Sequence, residues 1–389
     1  MVWILALIVG CTPSTIENTG SPQELQAFDV DGDALYSDLL DAGYTSVPGR
    51  YLVVTESSNA SDILRGSTDR LLQTAEWEGG FAVEGEIADI ERLAHDSRIV
   101  SIEPDWIATT NGKPVAAACA SSTSQTVPAG VTALGTSSFT GSGVKVAVID
   151  TGIDFAHTDL SVVSGVGYVG NTTGSDDNGH GTHVAGTIAG RNNTRGVIGV
   201  APDASLYAVK VLDRRGSGSY SAIASGIHWA VDNGMDVANL SLGGPSDSTT
   251  LSDAVTRAYD NGVVLVVAAG NEGLSATTSY PANYDGEVLT VSAVDMSNGS
   301  FPTWSNYGIP PVDVAAPGVK ICSTTRGGGY GTMDGTSMAT PHVAGAVAVY
   351  VQGHPGATFA DVEAALEAGV SPLTDTSRHT EDLVKINGF

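Results

Sequence analysis

The chain has 389 residues, of which 42% are hydrophobic and 48 are glycine, and its 43 acidic against 17 basic side chains give a formal net charge of −26. A chain this long can bury one substantial core plus that of a smaller domain, joined by many tight turns. The acidic balance excludes nucleic-acid binding, which leaves a basic footprint; it reads mostly as a solvated surface, with hard cations as the ligands it would favour.

The first element, MVWILALIVG (1–10), is an apolar run. It is too short to span a bilayer, which takes about twenty residues, and it reads as an export signal. Its continuation, IVGC, resembles a bacterial lipoprotein signal, which implies a signal over 1–11 and lipid attachment at Cys11. The lack of Lys or Arg ahead of the run departs from that pattern, and a plain secretory signal and a misassigned start codon are the alternatives. Residues 12–46 are polar and read as a tether. The protein is therefore expected outside the cytoplasm, extracellular or in the cell envelope, touching a membrane only through the lipid.

Residues 47–108 alternate strand and helix. RYLVVTE, FAVEGEI and VSIEPDWIA read as strands, and ASDILRGSTDRLLQTAEW and ADIERLAHDSRI as helices, the second with Ile87, Ile90 and Leu93 on one face. That is a small α+β unit of ferredoxin-like type, in βαβαβ order. The next stretch, TTNGKPVAAACASSTS (109–124), has no apolar period and reads as an exposed linker.

From 125 to 389 the pattern changes. VKVAVID, SLYAVKVL, DVANLSL, VVLVVAA and EVLTVSAV are apolar throughout and alternate with the helical stretches SYSAIASGIHWAVDNG and TLSDAVTRAYDNG. This predicts an α/β domain of three layers, α/β/α, around a mostly parallel sheet with right-handed crossovers. Three Gly-rich turns carry chemistry: VIDTGID (148–154), GHGTHVAG (179–186) and GTSMATPHVAG (335–345). They offer Asp150, His183 and Ser337, a parts list for acyl transfer. A serine hydroxyl needs an imidazole base, and the imidazole needs a carboxylate to hold its tautomer. Asp154, His157, His180 and His342 read as caps and turn residues. Ser337 is expected at the start of a long apolar helix, whose dipole favours negative charge and in which Pro341 falls early enough to be tolerated.

In this order the three blocks resemble the subtilisin family of serine endopeptidases, over a span from about Gln125 to beyond His354. The resemblance implies that Asn271 of VVLVVAAGNEG is an oxyanion donor beside the backbone N–H of Ser337. It implies substrate pairing along Gly216, Ser217 and Gly218 on one side and Ser241, Leu242 and Gly243 on the other. Ala268, Ala269 and Gly270 would line the primary pocket with Glu272 at its rim, favouring an apolar or aromatic residue, while Glu272 would also admit Lys or Arg. A structural Ca²⁺ is implied, held by Gln125, Asp159, the side chain of Asn193 and the carbonyls of Arg191, Arg195 and Val197, with no organic cofactor. Residues 47–108 then resemble an inhibitor-type prodomain whose tail crosses the cleft and is cut within 109–124. The product would be a monomer acting on proteins and peptides. A permanent accessory domain is the other reading of 47–108. Tyr280-Pro281 resembles a family turn with a cis peptide. Whether Cys119 and Cys322 pair stays open, as do two other functions: a binding module that keeps the fold, and a hydrolase of esters or small amides.

Overall fold

A short helix, Leu35–Asp41 (α1), opens the described part of the chain. The computed structural model describes residues 35–389 except 42, 57–59, 65–69, 111, 116–117, 374–378 and 380. The signal, Cys11 and the tether as far as residue 34 lie outside the described residues. Among those described, no helix is long and apolar enough to cross a membrane. Helix α1 falls within the stretch read as a tether. Its Tyr36 and Leu39, three apart and so on one face, are buried, and Arg215 pairs with its Asp38 and Asp41.

Strands Ser46–Thr55 (β1), Leu72–Trp77 (β2), Gly80–Glu84 (β3) and Ile99–Thr110 (β4), with helices Ala60–Leu64 (α2) and Ile87–Leu93 (α3), form an antiparallel sheet in the order β4-β1-β3-β2. This is a βαββαβ unit, so one expected element changes. The second half of ASDILRGSTDRLLQTAEW is strand β2, not helix. Its exposure alternates residue by residue, and it turns back onto β3 through Gly79 at φ 86°. A period of two ending in a glycine turn favours a hairpin over a helix.

The junction contains the short strand Lys113–Val115 (β5), and Gln125–Thr126 (β6) and Ala129–Leu134 (α4) begin the larger domain. Its further strands are Lys145–Asp150 (β7), Val162–Gly167 (β8), Gly196–Val197 (β9), Ser205–Lys210 (β10), Ser217–Ser219 (β11), Val237–Leu240 (β12), Leu242–Gly243 (β13), Val264–Ala268 (β14), Leu289–Val294 (β15), Val314–Pro317 (β16), Ile321–Thr325 (β17) and Gly329–Asp334 (β18). Its helices are His180–Ala189 (α5), Tyr220–Asp232 (α6), Thr249–Asp260 (α7), Thr336–Gly353 (α8) and Phe359–Ala368 (α9).

Seven strands pair in parallel in the order β16-β15-β14-β12-β7-β10-β8. All residues of β12, β14, β15 and β16 are buried, as a sheet covered on both faces requires. Alternate residues of β7 serve the two faces. Val146 and Val148 pack in one core with residues of α5 and α8, and Ala147 and Ile149 in another with residues of α6 and α7. The result is the expected three-layer α/β/α domain. Tyr280-Pro281 is cis, and Cys119 and Cys322 are joined by a disulfide.

Candidate active site

Strand β7 ends on Asp150, at the carboxyl edge of the sheet, where catalytic groups of such folds collect. The carboxylate is fully buried, and its Oδ1 accepts from the Thr151 N–H at 2.7 Å. Its imidazole partner is His180, whose Nδ1 lies 2.8 Å from Oδ1 and 3.0 Å from Oδ2. The expectation of His183 in that place is therefore corrected. Helix α5 begins at His180, so His183 lies almost one turn deeper, at about 1.5 Å of rise per residue. There its Nε2 donates to the carbonyls of Ile321 at 2.9 Å and Gly331 at 3.2 Å. A ring nitrogen facing two acceptors carries the proton. Burial, reinforced by the neighbouring His180, pushes the His183 pKa down to about 3. His183 is thus a neutral tie between α5 and the β17–β18 hairpin.

The turn before α5 holds His180 in place. Asp176, buried, accepts from the N–H groups of Asn178 and Gly179 through Oδ1 and from that of Thr182 through Oδ2, capping the helix. Thr151 Oγ1 donates to Asp176 and accepts from the Gly181 N–H, linking the two turns. Gly181 is required by close approach: a methyl group there would fall 2.1 Å from the Gly152 carbonyl and 3.1 Å from Asp150 Oδ1. The glycine of GHGTH therefore marks the histidine before it as the one pressed against the aspartate. That signal was readable, as was Asp176 ahead of a helix start, and both were missed.

Ser337 is the second residue of α8 and is fully buried. Its Oγ donates to the Ser241 carbonyl at 2.9 Å, and Ser241 Oγ donates to the Ser337 carbonyl at 2.9 Å. That carbonyl is available because the residue four positions on is Pro341, which has no N–H to offer it. Ser241 directly follows β12, the neighbour of β7, so the serine reaches the same sheet edge as Asp150. In this conformer Ser337 Oγ faces Ser241, and His180 Nε2 has no hydrogen-bond partner among the described residues. A serine hydroxyl changes staggered position by one rotation about Cα–Cβ, and catalytic hydrogen bonds often tighten only around a substrate.

Asn271 Oδ1 accepts from the Thr336 N–H at 3.0 Å and Thr336 Oγ1 at 3.1 Å, which fixes the amide beside the start of α8. Ala268 and Ala269 are buried, and Gly270 takes φ 110° with no room for a side chain, since a methyl there would meet Asn306 Nδ2. Asn306 holds the exposed Glu272 by a 2.8 Å hydrogen bond. His342 and His157 bond backbone groups, and Asp154 accepts from the Ala156 and Gly327 N–H groups, all as structural residues.

The end of β4 lies between β11 and β13. Thr109 is opposite Ser217 and Ala108 opposite Gly218, while on the other side Thr110 is opposite Leu242 and Thr109 opposite Gly243. The Gly216 carbonyl accepts from the Thr110 N–H at 2.8 Å. Beyond it, a methyl placed on Gly112 would fall 2.7 Å from His180 Nε2 and 3.2 Å from Met338 Sδ, so the backbone passes directly over the imidazole. Upstream, two acidic residues of β4 cap helices of the larger domain. Glu103 accepts from Ser248 Oγ and the Thr249 and Thr250 N–H groups, and Asp105 from Ser221 N–H and Oγ.

The six residues of the expected cation loop also converge. Gln125 Nε2 donates to the carbonyls of Arg191 at 2.7 Å and Arg195 at 3.3 Å, and Asn193 Nδ2 donates to Asp159 Oδ1 at 2.9 Å. Asp159 Oδ2 accepts from the Val197 N–H, and the Arg191 and Arg195 side chains are exposed. Among the described residues, no three His, Cys, Asp or Glu side chains form a metal cluster. The residue types brought together, backbone carbonyls, two side-chain amides and one carboxylate, are ones Ca²⁺ accepts as ligands, although Gln125 and Asn193 here turn their amide nitrogens toward the Arg191, Arg195 and Asp159 oxygens.

The chain is also similar to known proteins. Residues 141–382 match the model of the subtilase family, Peptidase_S8. The chain is 42% identical over 362 residues to subtilisin NAT of Bacillus subtilis subsp. natto, covering 89% of this chain and 91% of that one. It is 48% identical over 271 residues to subtilisin DY of Bacillus licheniformis, covering 67% and 98% respectively. Among solved structures, a cold-adapted subtilisin-like serine proteinase aligns with a TM-score of 0.60 at 40% identity, over 64% of this chain and 91% of that one. The chain belongs to the subtilase family and is a serine endopeptidase of the subtilisin type.

Proposed function

We propose that this endopeptidase is exported as a zymogen that cleaves itself, with Asp150, His180 and Ser337 as its triad and residues 47–111 as an inhibitory prodomain. The observation that carries the reading is the chain's own backbone lying in the cleft as a substrate would, paired on both edges and passing over His180 Nε2. The peptide bond on the amino side of Gly112 is then the scissile one, because its nitrogen is the leaving group that the imidazole must protonate.

In the proposed reaction, Ser337 Oγ turns from Ser241 to the carbonyl carbon and gives its proton to His180 Nε2. Asp150, bonded to Nδ1, holds the ring's tautomer and stabilises the imidazolium. The oxyanion receives hydrogen bonds from the Asn271 amide and the Ser337 N–H; one such side-chain donor is worth about 3–4 kcal/mol, a magnitude measured in subtilisin itself. The imidazolium then protonates the departing amine, and water hydrolyses the acyl-enzyme by the same proton path.

Extended substrates would replace the tail along Gly216–Gly218 and Ser241–Gly243, where main-chain pairing supplies affinity without strong sequence demands. The small walls of Ala268, Ala269 and Gly270 leave room for an apolar or aromatic side chain before the cut. We assign the loop around Gln125 and Asp159 to a structural Ca²⁺. Export to the extracellular space or cell envelope rests on the N-terminal apolar run and on the disulfide, which oxidising compartments preserve. The test is maturation. Purified wild-type chain should convert on a gel to a prodomain fragment and a catalytic fragment, and Ser337→Ala should remain whole. A Ser337→Ala chain that matures alone would refute self-cleavage.

A further inference from the structure

The junction does not end at the cleft. Beyond Gly112, strand β5 pairs antiparallel with β18, Lys113 opposite Asp334, Pro114 opposite Met333 and Val115 opposite Thr332. Strand β18 pairs in turn with β17, where Thr332 is opposite Cys322, and Cys322 is the residue disulfide-bonded to Cys119. The Ser121 carbonyl then accepts from the Gly196 N–H at 2.9 Å, and Gln125 follows in the loop assigned to calcium. From Gly112 onward, these anchors all lie on the catalytic domain. Ahead of Gly112, the prodomain is held there by pairing, packing and capping, without a covalent tie among the described residues.

Cutting before Gly112 adds water across the amide, leaving a carboxylate on Asn111 and an α-ammonium on Gly112. The prodomain half becomes free to dissociate, whereas the other half stays tied through Cys119. A cut after Cys119 would instead leave the prodomain attached to its enzyme by the disulfide. We propose that the junction beyond the cut persists in the mature enzyme as a leader held by the Cys119–Cys322 disulfide, and that its strand β5 lines the leaving-group side of the cleft and selects against substrates extended beyond the scissile bond. This rests on the self-cleavage reading above.

The physical argument is one of effective concentration. Cys119 lies seven positions after Gly112, and a strand on so short a tether faces its partner at an effective concentration on the order of millimolar. Even the weak pairing of β5 with β18 then competes with an incoming peptide. An extended substrate must displace the leader to pair with β18, but a substrate that ends at its leaving group need not. Beside β18, a cavity of about 450 Å³ lined by Asn178, Gly179, Thr325, Arg326, Gly327 and Met333 would receive the displaced or incoming side chains. Opening the disulfide with a dithiol, which is itself oxidised to its cyclic disulfide as the two protein thiols form, releases the leader's anchor.

The experiment uses the full chain after self-maturation. Intact mass without reductant should show one fragment running from Gly112 to Phe389. KM is then compared for a peptide anilide, which has no residues beyond the cut, and for a fluorogenic peptide carrying four such residues. With the disulfide closed, KM for the extended peptide should be about tenfold higher than after dithiothreitol or in Cys119→Ser, while anilide turnover stays within twofold. The anilide value also reports whether the reduced and variant proteins remain folded, and dithiothreitol on mature wild-type enzyme serves if Cys119→Ser does not fold. A cut chain beginning beyond Cys119, or an extended-peptide KM indifferent to the disulfide, overturns the leader alone. A chain that stays whole overturns the self-cleavage reading and the leader with it.

Discussion

Gln125 shows how one residue can serve two networks. Its amide nitrogen faces the carbonyls of Arg191 and Arg195, which a Ca²⁺ would draw to itself, and its Oε1 accepts from the Thr194 N–H at 3.4 Å. Exchanging the amide's oxygen and nitrogen by a half-turn would present an oxygen to the ion, joining Asp159 and the neighbouring carbonyls. Calcium held this way stabilises only the folded loop. Its removal should therefore lower stability by the ligand-binding term, about 3 kcal/mol at a hundredfold excess over Kd, or about 5 °C or more in Tm. Thermal melts in excess calcium and in EDTA check this, and superimposable curves would count against the site. At this scale the sequence was legible where a residue type is chemically forced, as in the placement of Asp150 and Ser337 at one sheet edge. It misled where two histidines compete within one turn, because the choice between His180 and His183 is made by helix phase and by Gly181, not by side-chain type.

Among elements, the contact of β2 with α6 carries a titratable group. His228 of α6 is buried against Trp77 of β2, with ring centroids 6.4 Å apart, and neither ring nitrogen has a partner among the described residues. The charges around it are Arg257 of α7, Asp232 of α6 and Glu78 beside β2, joined to one another through the guanidinium. Burial, followed by Arg257, pushes the His228 pKa down to about 4. On the proposed release of the prodomain, Trp77 would go with it and the ring would regain water, which would raise its pKa toward the ordinary value near 6.5. Docking therefore expels a proton. The associated state is favoured above that free value, and it loses affinity as pH falls from about 6.5 toward 4. Between pH 7.5 and 5, inhibition by the cut, non-covalent prodomain should weaken on the order of tenfold, and His228→Gln should flatten that dependence. An inhibition constant with the same pH profile in both proteins would contradict the assignment. The sequence hid this interface for an identifiable reason. LLQTAEW lies within the stretch ASDILRGSTDRLLQTAEW that reads as one helix, and its pairing with β3 makes it the strand that brings Trp77 to α6.

For the whole molecule, one antiparallel sheet runs from the small unit into the cleft of the large one, through β4 between β11 and β13. The parallel sheet behind it sets Asp150 and Ser241 at neighbouring strand ends, and α5 and α8 start beside them with His180 and Ser337. The fold class and this edge were legible because unbroken apolar strands alternating with helices admit few arrangements. The disulfide was not, since Cys119 and Cys322 lie 203 positions apart and only β5, a strand without apolar pattern, brings them together. The central claim is that His180, bonded to Asp150, is the proton carrier for Ser337. It is tested most directly by comparing His180→Ala with His183→Gln for self-cleavage and for kcat on a peptide anilide. The account predicts a loss of about 10⁶-fold for His180→Ala, the scale measured for a triad histidine in subtilisin, and a change within tenfold for His183→Gln, whose amide can still donate to Ile321 and Gly331. Full activity in His180→Ala, with loss confined to His183→Gln, would contradict it.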